Sequence, residues 1–209
     1  MDKTMVDLFS DKVNSGCYYN ADRLVNIPLG VISAMSTVML PKVTREFRSN
    51  TREKVRELLA KSLELTISLA CAIGFGLGAI SFEFVPLFFG AGYELCIPLI
   101  LGFIPVVILK SMEEFVRSQY LIPTGKDDIY IKAVFTAAFV NLLANYFLIS
   151  KYGAFGAVLG TIIAEIIVLI VQINSVKTEI NFKKLFFGHG FYFIAGIIMF
   201  FIVRCLSCI

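Results

Sequence analysis

The chain has 209 residues, of which 57% are hydrophobic and 17% charged, with a formal net charge of +3 at pH 7. Its mean hydropathy is +0.80. Soluble domains carry about 45–50% apolar residues with glycine counted, and about 25% charged residues. The composition therefore excludes a soluble enzyme domain and a disordered chain, and it points to a polytopic membrane protein.

Residues 1–20 are too polar to span a bilayer. They show no basic start leading into an apolar run and a cleavage site, so they do not read as a signal peptide. They are read as an outer loop and lead-in, preceded by a span that this chain lacks. Six apolar segments follow, each near the roughly 20 residues that a spanning helix needs. They cover residues 21–40, 62–82, 96–121, 129–149, 154–173 and 185–203. Residues 204–209 form a truncated tail. The expected fold class is all-α, a polytopic transmembrane helix bundle of about six spans.

Charge in the connections sets the orientation. Lys42, Arg45, Arg48, Arg52, Lys54, Arg56 and Lys61 follow the first span, Lys126 and Lys132 lie around the third connection, and Lys177, Lys183 and Lys184 around the fifth. The opposite loops hold Lys3, Lys12 and Lys151. The basic side is expected to be cytoplasmic. Within the first connection, Val43, Phe47, Val55, Leu58 and Leu59 interspersed with charges suit either an amphipathic interfacial helix or a plain solvated run.

Cys17, Cys71, Cys96, Cys205 and Cys208 are scattered and form no disulfide framework. Cys205 and Cys208 make a lone C-x-x-C without a second pair, and His189 is the single histidine. No metal site or cofactor is expected. A membrane-embedded enzyme would need a catalytic dyad or a sizeable outer loop, and neither is evident.

Polar groups are costly in lipid, so those within spans face a bundle interior or a water-filled cavity. In the first span Arg23, Asn26, Gly30, Ser33 and Thr37 step by three and four residues and share one helical face beside Pro28. A cavity wall and a small-residue helix interface both fit. In the third span Lys110, Glu113, Glu114 and Arg117 lie on one side. Glu113 precedes Arg117 by four, the favourable order for an ion pair. This cluster reads either as self-neutralised or as a basic site open to a ligand. Asn141 and Asn145 lie one turn apart in the fourth span, above Ala133 and Ala137. In the fifth, Thr161, Glu165 and Gln172 share a face, and Gly156, Gly160 and Ala164 make a close-packing seam. The candidate cavity residues are Arg23, Asn26, Ser33, Lys110, Arg117, Asn141, Asn145 and Glu165.

Three stretches carry a resemblance. Residues 18–42 read Tyr-Tyr-Asn-Ala-Asp-Arg-Leu-Val-Asn-Ile-Pro-Leu-Gly-Val-Ile-Ser-Ala-Met-Ser-Thr-Val-Met-Leu-Pro-Lys. Residues 122–126 read Ile-Pro-Thr-Gly-Lys. Residues 141–165 read Asn-Leu-Leu-Ala-Asn-Tyr-Phe-Leu-Ile-Ser-Lys-Tyr-Gly-Ala-Phe-Gly-Ala-Val-Leu-Gly-Thr-Ile-Ile-Ala-Glu. Together they resemble the Wzx-type bacterial polysaccharide flippases of the multidrug/oligosaccharidyl-lipid/polysaccharide exporter superfamily, with Ser150 where the family usually has Pro. The resemblance extends over nearly the whole chain and corresponds to the C-terminal part of such a protein. It implies two helical lobes around a central cavity, with an N-terminal lobe or another protomer as partner. It also implies flipping of a polyprenyl-pyrophosphate-linked oligosaccharide across the bacterial cytoplasmic membrane, without enzymatic chemistry and without nucleic acid. Cations would replace phosphate hydration, while amides and hydroxyls would meet the sugars. A drug/cation antiporter or a lipid II flippase of the same superfamily, and a non-functional split-gene remnant, are the alternatives.

Overall fold

The computed structural model describes residues 2–49, 52–90, 92–176 and 188–207. Among them are seven α-helices and one π-helical turn: α1 (Asp2–Phe9), α2 (Lys12–Arg48), α3 (Arg52–Phe89), α4 (Cys96–Val116), the π-turn (Arg117–Leu121), α5 (Asp127–Tyr152), α6 (Ala154–Val176) and α7 (Gly190–Ser207). Six of these are long and apolar enough to cross a membrane, counting α4 with its π-turn as one. The fold is an all-α polytopic bundle, as the composition requires.

Two expectations need correction. Residues 1–20 are not a loop: residues 2–9 form α1 and α2 begins at Lys12. The sequence hides this because α1 is short and carries charge, yet Met5 and Val6 are buried in the core. The first connection is no separate interfacial helix either. Instead α2 has 37 residues and α3 has 38. At 1.5 Å per residue each reaches about 55 Å, well beyond a hydrocarbon core of about 30 Å. Val43 and Leu59 are buried together beyond the expected spans, with Phe47, Val55 and Leu58 packed against them. Their apolar stripe serves contact between two extended helices. The basic cluster at Lys177, Lys183 and Lys184, the start of the sixth expected span at residues 185–187, and Cys208 lie outside the described residues.

Capping marks the boundaries. The Asp11 side chain accepts the Asn14 backbone N–H at 2.9 Å and its amide at 2.6 Å, which starts α2. Those bonds hold the Asp11 carboxyl below its ordinary range. After Phe89 the chain turns through Gly90 and Gly92, both at positive φ. Glu94, in this turn, accepts the Gly92 N–H at 3.2 Å, and backbone N–H donors lower its carboxyl. The Pro-Thr-Gly turn closes α4 and its π-turn: Gly125 sits at φ 68°, and Lys126 N–H returns to the Leu121 carbonyl at 2.9 Å.

Two cores lie along the bundle. One joins α1 to α6, with Val85 from α3, around Tyr18, Phe103 and Leu99. The other joins α2, α3, α4 and the π-turn around Ile32, Leu63, Ile67 and Phe115. Helix α7 packs parallel to α3 at the periphery. Tyr192 donates to Glu64 at 2.6 Å, Gly196 meets the Phe75 ring, and Arg204 pairs with Glu83.

The α5–α6 hairpin positions the site. Gly153 turns at positive φ, and α6 then presses onto α5. A Cβ on Gly156 would collide with the Leu148 carbonyl, and one on Gly160 with the Asn145 side-chain oxygen. Ala164 continues the seam against Ala133 and Ala137. This bears out the small-residue reading of that face.

Candidate functional site

A cavity of about 520 Å³ opens between α2, α4, α5 and α6. Asp2 and Asp22 lie at its walls, with Lys110, Glu113, Glu114 and Arg117 from α4 and the π-turn, Tyr130 and Asn141 from α5, and Thr161 and Glu165 from α6. Val134, Ala137, Ala138, Ala164 and Val168 supply an apolar wall. Helix periodicity explains the convergence. Residues 110, 113, 114 and 117 share one face of α4, residues 134, 137, 138 and 141 one face of α5, and residues 161, 164, 165 and 168 one face of α6.

Its ion pairs differ from those the spacing suggests. Arg117 pairs with Glu114 at 2.9 Å, three residues back, and not with Glu113. Arg117 is the first residue of the π-turn, and the three-residue spacing from Glu114 is itself one that brings helical side chains together. The Arg117 guanidinium also lies 4.9 Å from the centre of the Tyr130 ring. Lys110 reaches across to Glu165 at 3.6 Å. Neither cation is therefore free, and Lys110 answers an acid on α6 in place of Glu114. Glu113 is buried, and its Oε1 has no hydrogen-bond partner among the described residues.

A second polar knot gathers around Asp2. Asn145 donates to Asp2 Oδ1 at 2.8 Å and to Asn141 Oδ1 at 3.0 Å. Thr161 donates to Asp2 Oδ2 at 3.0 Å, and Tyr18 approaches the same oxygen at 3.4 Å. Nearby, Lys3 pairs with Asp22 at 2.9 Å. Asn145 thus staples α5 to α1, while Asn141, which accepts from it, faces the cavity. Carboxylate, amide and hydroxyl oxygens converge here, the kinds of donor that hard cations take. Among the described residues no group of three or more His, Cys, Asp or Glu is arranged to hold a metal ion.

Of the eight residues expected to line a cavity, Lys110, Arg117, Asn141 and Glu165 do so, and Asn145 supports them from behind. Arg23, Asn26 and Ser33 lie elsewhere. Together with Gly30 and Thr37 they form the exposed face of α2. Arg23 has no ion-pair partner among the described residues, and Asn26 donates back to Asp22. Asp2, Asp22 and Tyr130 line the cavity but were not among the expected residues. For Asp2 a signal was present: Asp2, Met5, Val6 and Phe9 stand at positions one, four, five and eight of a helical face.

Comparison with known proteins adds two likenesses. Residues 5–93 match the family model described as lipid II flippase MurJ. Over 199 residues the chain is 19% identical to the probable low-salt glycan biosynthesis flippase Agl15 of Haloferax volcanii, covering 95% of this chain and 42% of that relative. The chain thus spans less than half the length of the curated relative it matches. No solved structure matches it. The six apolar helices make this a multi-pass membrane protein, and both likenesses support a family of flippases or exporters of the multidrug/oligosaccharidyl-lipid/polysaccharide superfamily.

Proposed function

We propose that this chain is one lobe of a transporter that flips polyprenyl-pyrophosphate-linked oligosaccharide repeat units across the cytoplasmic membrane for surface polysaccharide synthesis. A second lobe, N-terminal to it or contributed by another protomer, faces the exposed stripe of α2 and completes the path. The observation that carries this reading is the cavity itself. A bundle whose spans are apolar keeps an open space lined with carboxyls, two bases, an amide and hydroxyls. Such groups in lipid would be costly, so the space is one that water or a polar cargo fills.

The geometry divides the labour. Lys110 and Arg117 are each engaged by a carboxylate, and the cavity holds more acids than bases. It therefore suits sugar hydroxyls and amides, which donate to carboxylates, better than it suits phosphate. Arg23 is the exposed base on the α2 stripe, without an ion-pair partner among the described residues, and it is assigned to the pyrophosphate. Lipid II is the second reading, favoured by the family match over residues 5–93.

A chimaera tests the assignment. This chain replaces the matching stretch of the Haloferax relative, and the product is reconstituted into vesicles whose inner leaflet holds either a polyprenyl-pyrophosphate oligosaccharide or lipid II. Lectin or antibody added outside reads the flipped fraction. Flipping of the oligosaccharide lipid is expected. Flipping of lipid II alone would favour the second reading, and flipping of neither would contradict both.

A further inference from the structure

The carboxyls of the cavity are not all accounted for. Asp22 has Lys3, Asp2 accepts from Thr161 and Asn145, Glu114 has Arg117, and Glu165 has Lys110. Glu113 remains. It lines the cavity, is only 9% exposed, and its Oε1 has no hydrogen-bond partner among the described residues. The charged groups that face it are Glu165 on α6 and Lys110 and Glu114 on its own helix. Glu113 and Glu165 form a hydrogen-bonded carboxyl pair, which together with Lys110 is balanced only while one of the two carboxyls holds a proton. An unpaired carboxylate sheltered from water is strongly disfavoured. A single cationic group arriving through the cavity can take the place of that proton.

The space around Glu113 narrows the class of cation. A bare ion needs oxygen ligands closing round it at two to three ångströms. Here the space is about 520 Å³, within the range of pockets that take small molecules. Val134, Ala137, Ala138, Ala164 and Val168 line the same space. A charged head at Glu113 and Glu165 with an uncharged body along that wall fits both halves of the lining. Asn141 stands within reach of such a body's hydroxyls.

We propose that Glu113, with Glu165, binds a primary ammonium group carried on a polar organic body, the chemistry of a sugar with a free amine. In the transport cycle this amine belongs to the cargo, a role that rests on the flipping reading above. Binding itself needs no transport.

The test uses the full chain in nanodiscs with glucosamine and N-acetylglucosamine as probes, titrated by calorimetry at about pH 6, below the range where free amines lose their proton. Saturable binding of glucosamine is expected, with N-acetylglucosamine about tenfold weaker or more, as the loss of a charge-assisted contact implies. Glu113→Gln is expected to weaken glucosamine by a similar factor, Glu113→Asp to keep part of it, and the remote Glu94→Gln to change nothing. Equal binding of the two sugars would overturn the proposal on the unmodified chain alone, whatever the variants do. So would Glu113→Gln that folds and binds glucosamine normally. Saturable sodium binding that displaces glucosamine would mark a bare-ion site, and proton uptake at Glu113 without amine binding a proton site; either overturns the ammonium assignment. Amine binding with no flipping by the chimaera would sink the transport reading and leave this one standing.

Discussion

Lys110 on α4 and Glu165 on α6 form an ion pair, Nζ to Oε1 at 3.6 Å, across the wall of the cavity. The side chains are 35% and 16% exposed, so the acid is the more sheltered partner. Removing the lysine strands Glu165 beside Glu113. Lys110→Ala should therefore destabilise the bundle, by about 1–3 kcal/mol once partial exposure is discounted from the range for buried pairs. Adding Glu165→Gln should recover most of the loss, and adding Glu114→Gln should not. Unfolding titrations of the three variants in detergent check this. Rescue by Glu114→Gln instead would place the partner on α4.

The α5–α6 seam grades its glycines by what lies opposite. Gly156 faces the Leu148 backbone carbonyl, Gly160 faces the Asn145 side chain, and Gly78 on α3 faces the flexible tip of Ile104. Backbone cannot step aside as a side chain can. Alanine substitution should cost most at Gly156, about 3 kcal/mol, less at Gly160, and least at Gly78, where Ile104 can change rotamer. Gly160→Ala should also disturb Asn145, whose amide holds Asp2. The order of apparent melting temperatures is the readout.

The start of α2 depends on an ionised cap. Asp11 accepts both the Asn14 N–H and its side-chain amide, and these bonds depress its carboxyl pKa below 3.8. A carboxyl depressed in the folded state contributes stability that is present above its unfolded pKa and fades as pH falls through the folded one. Asp11→Ala should lower the melting temperature at neutral pH and flatten its decline below about pH 4. Asp11→Asn should keep most of the cap and likewise lose the acid dependence. Melting curves of the three proteins between about pH 3 and pH 7 decide it.

Orientation follows the basic clusters if positive charge stays inside. In intact cells, with native cysteines removed, Ser49→Cys beyond α2 should resist a membrane-impermeant thiol reagent, and Glu94→Cys before α4 should react. The reverse pattern would invert the topology.

Much of the fold was legible because apolar length alone dictates a spanning helix. α4 with its π-turn, α5 and α6 occupy nearly the segments expected, and the seam at Gly156, Gly160 and Ala164 follows from small residues at four-residue spacing. The ends of α2 and α3 were not legible, because hydropathy marks where a helix enters lipid and not where its hydrogen bonding stops. The cavity was half legible. Lys110, Arg117, Asn141 and Glu165 stand out as polar residues within apolar runs. Their partners depend on which helix lies opposite, which spacing along one helix cannot reveal, so Glu165 was not matched to Lys110. Asp2 escaped because it sits in a short charged segment where an acid carries no surprise. Arg23 was grouped with the cavity by its stripe, but that stripe faces away from α4, α5 and α6.

The most direct test of the central claim, that a wet polar cavity runs between α2, α4, α5 and α6, compares two adjacent residues on α5. Ala138 lines the cavity, and Phe139 is 64% exposed on the apolar outer surface. With native cysteines removed, Ala138→Cys in membranes should react with a charged, water-soluble thiol reagent, and Phe139→Cys should not. Added lipid-linked oligosaccharide should slow the reaction at position 138. Protection at 138 together with reaction at 139 would contradict the account.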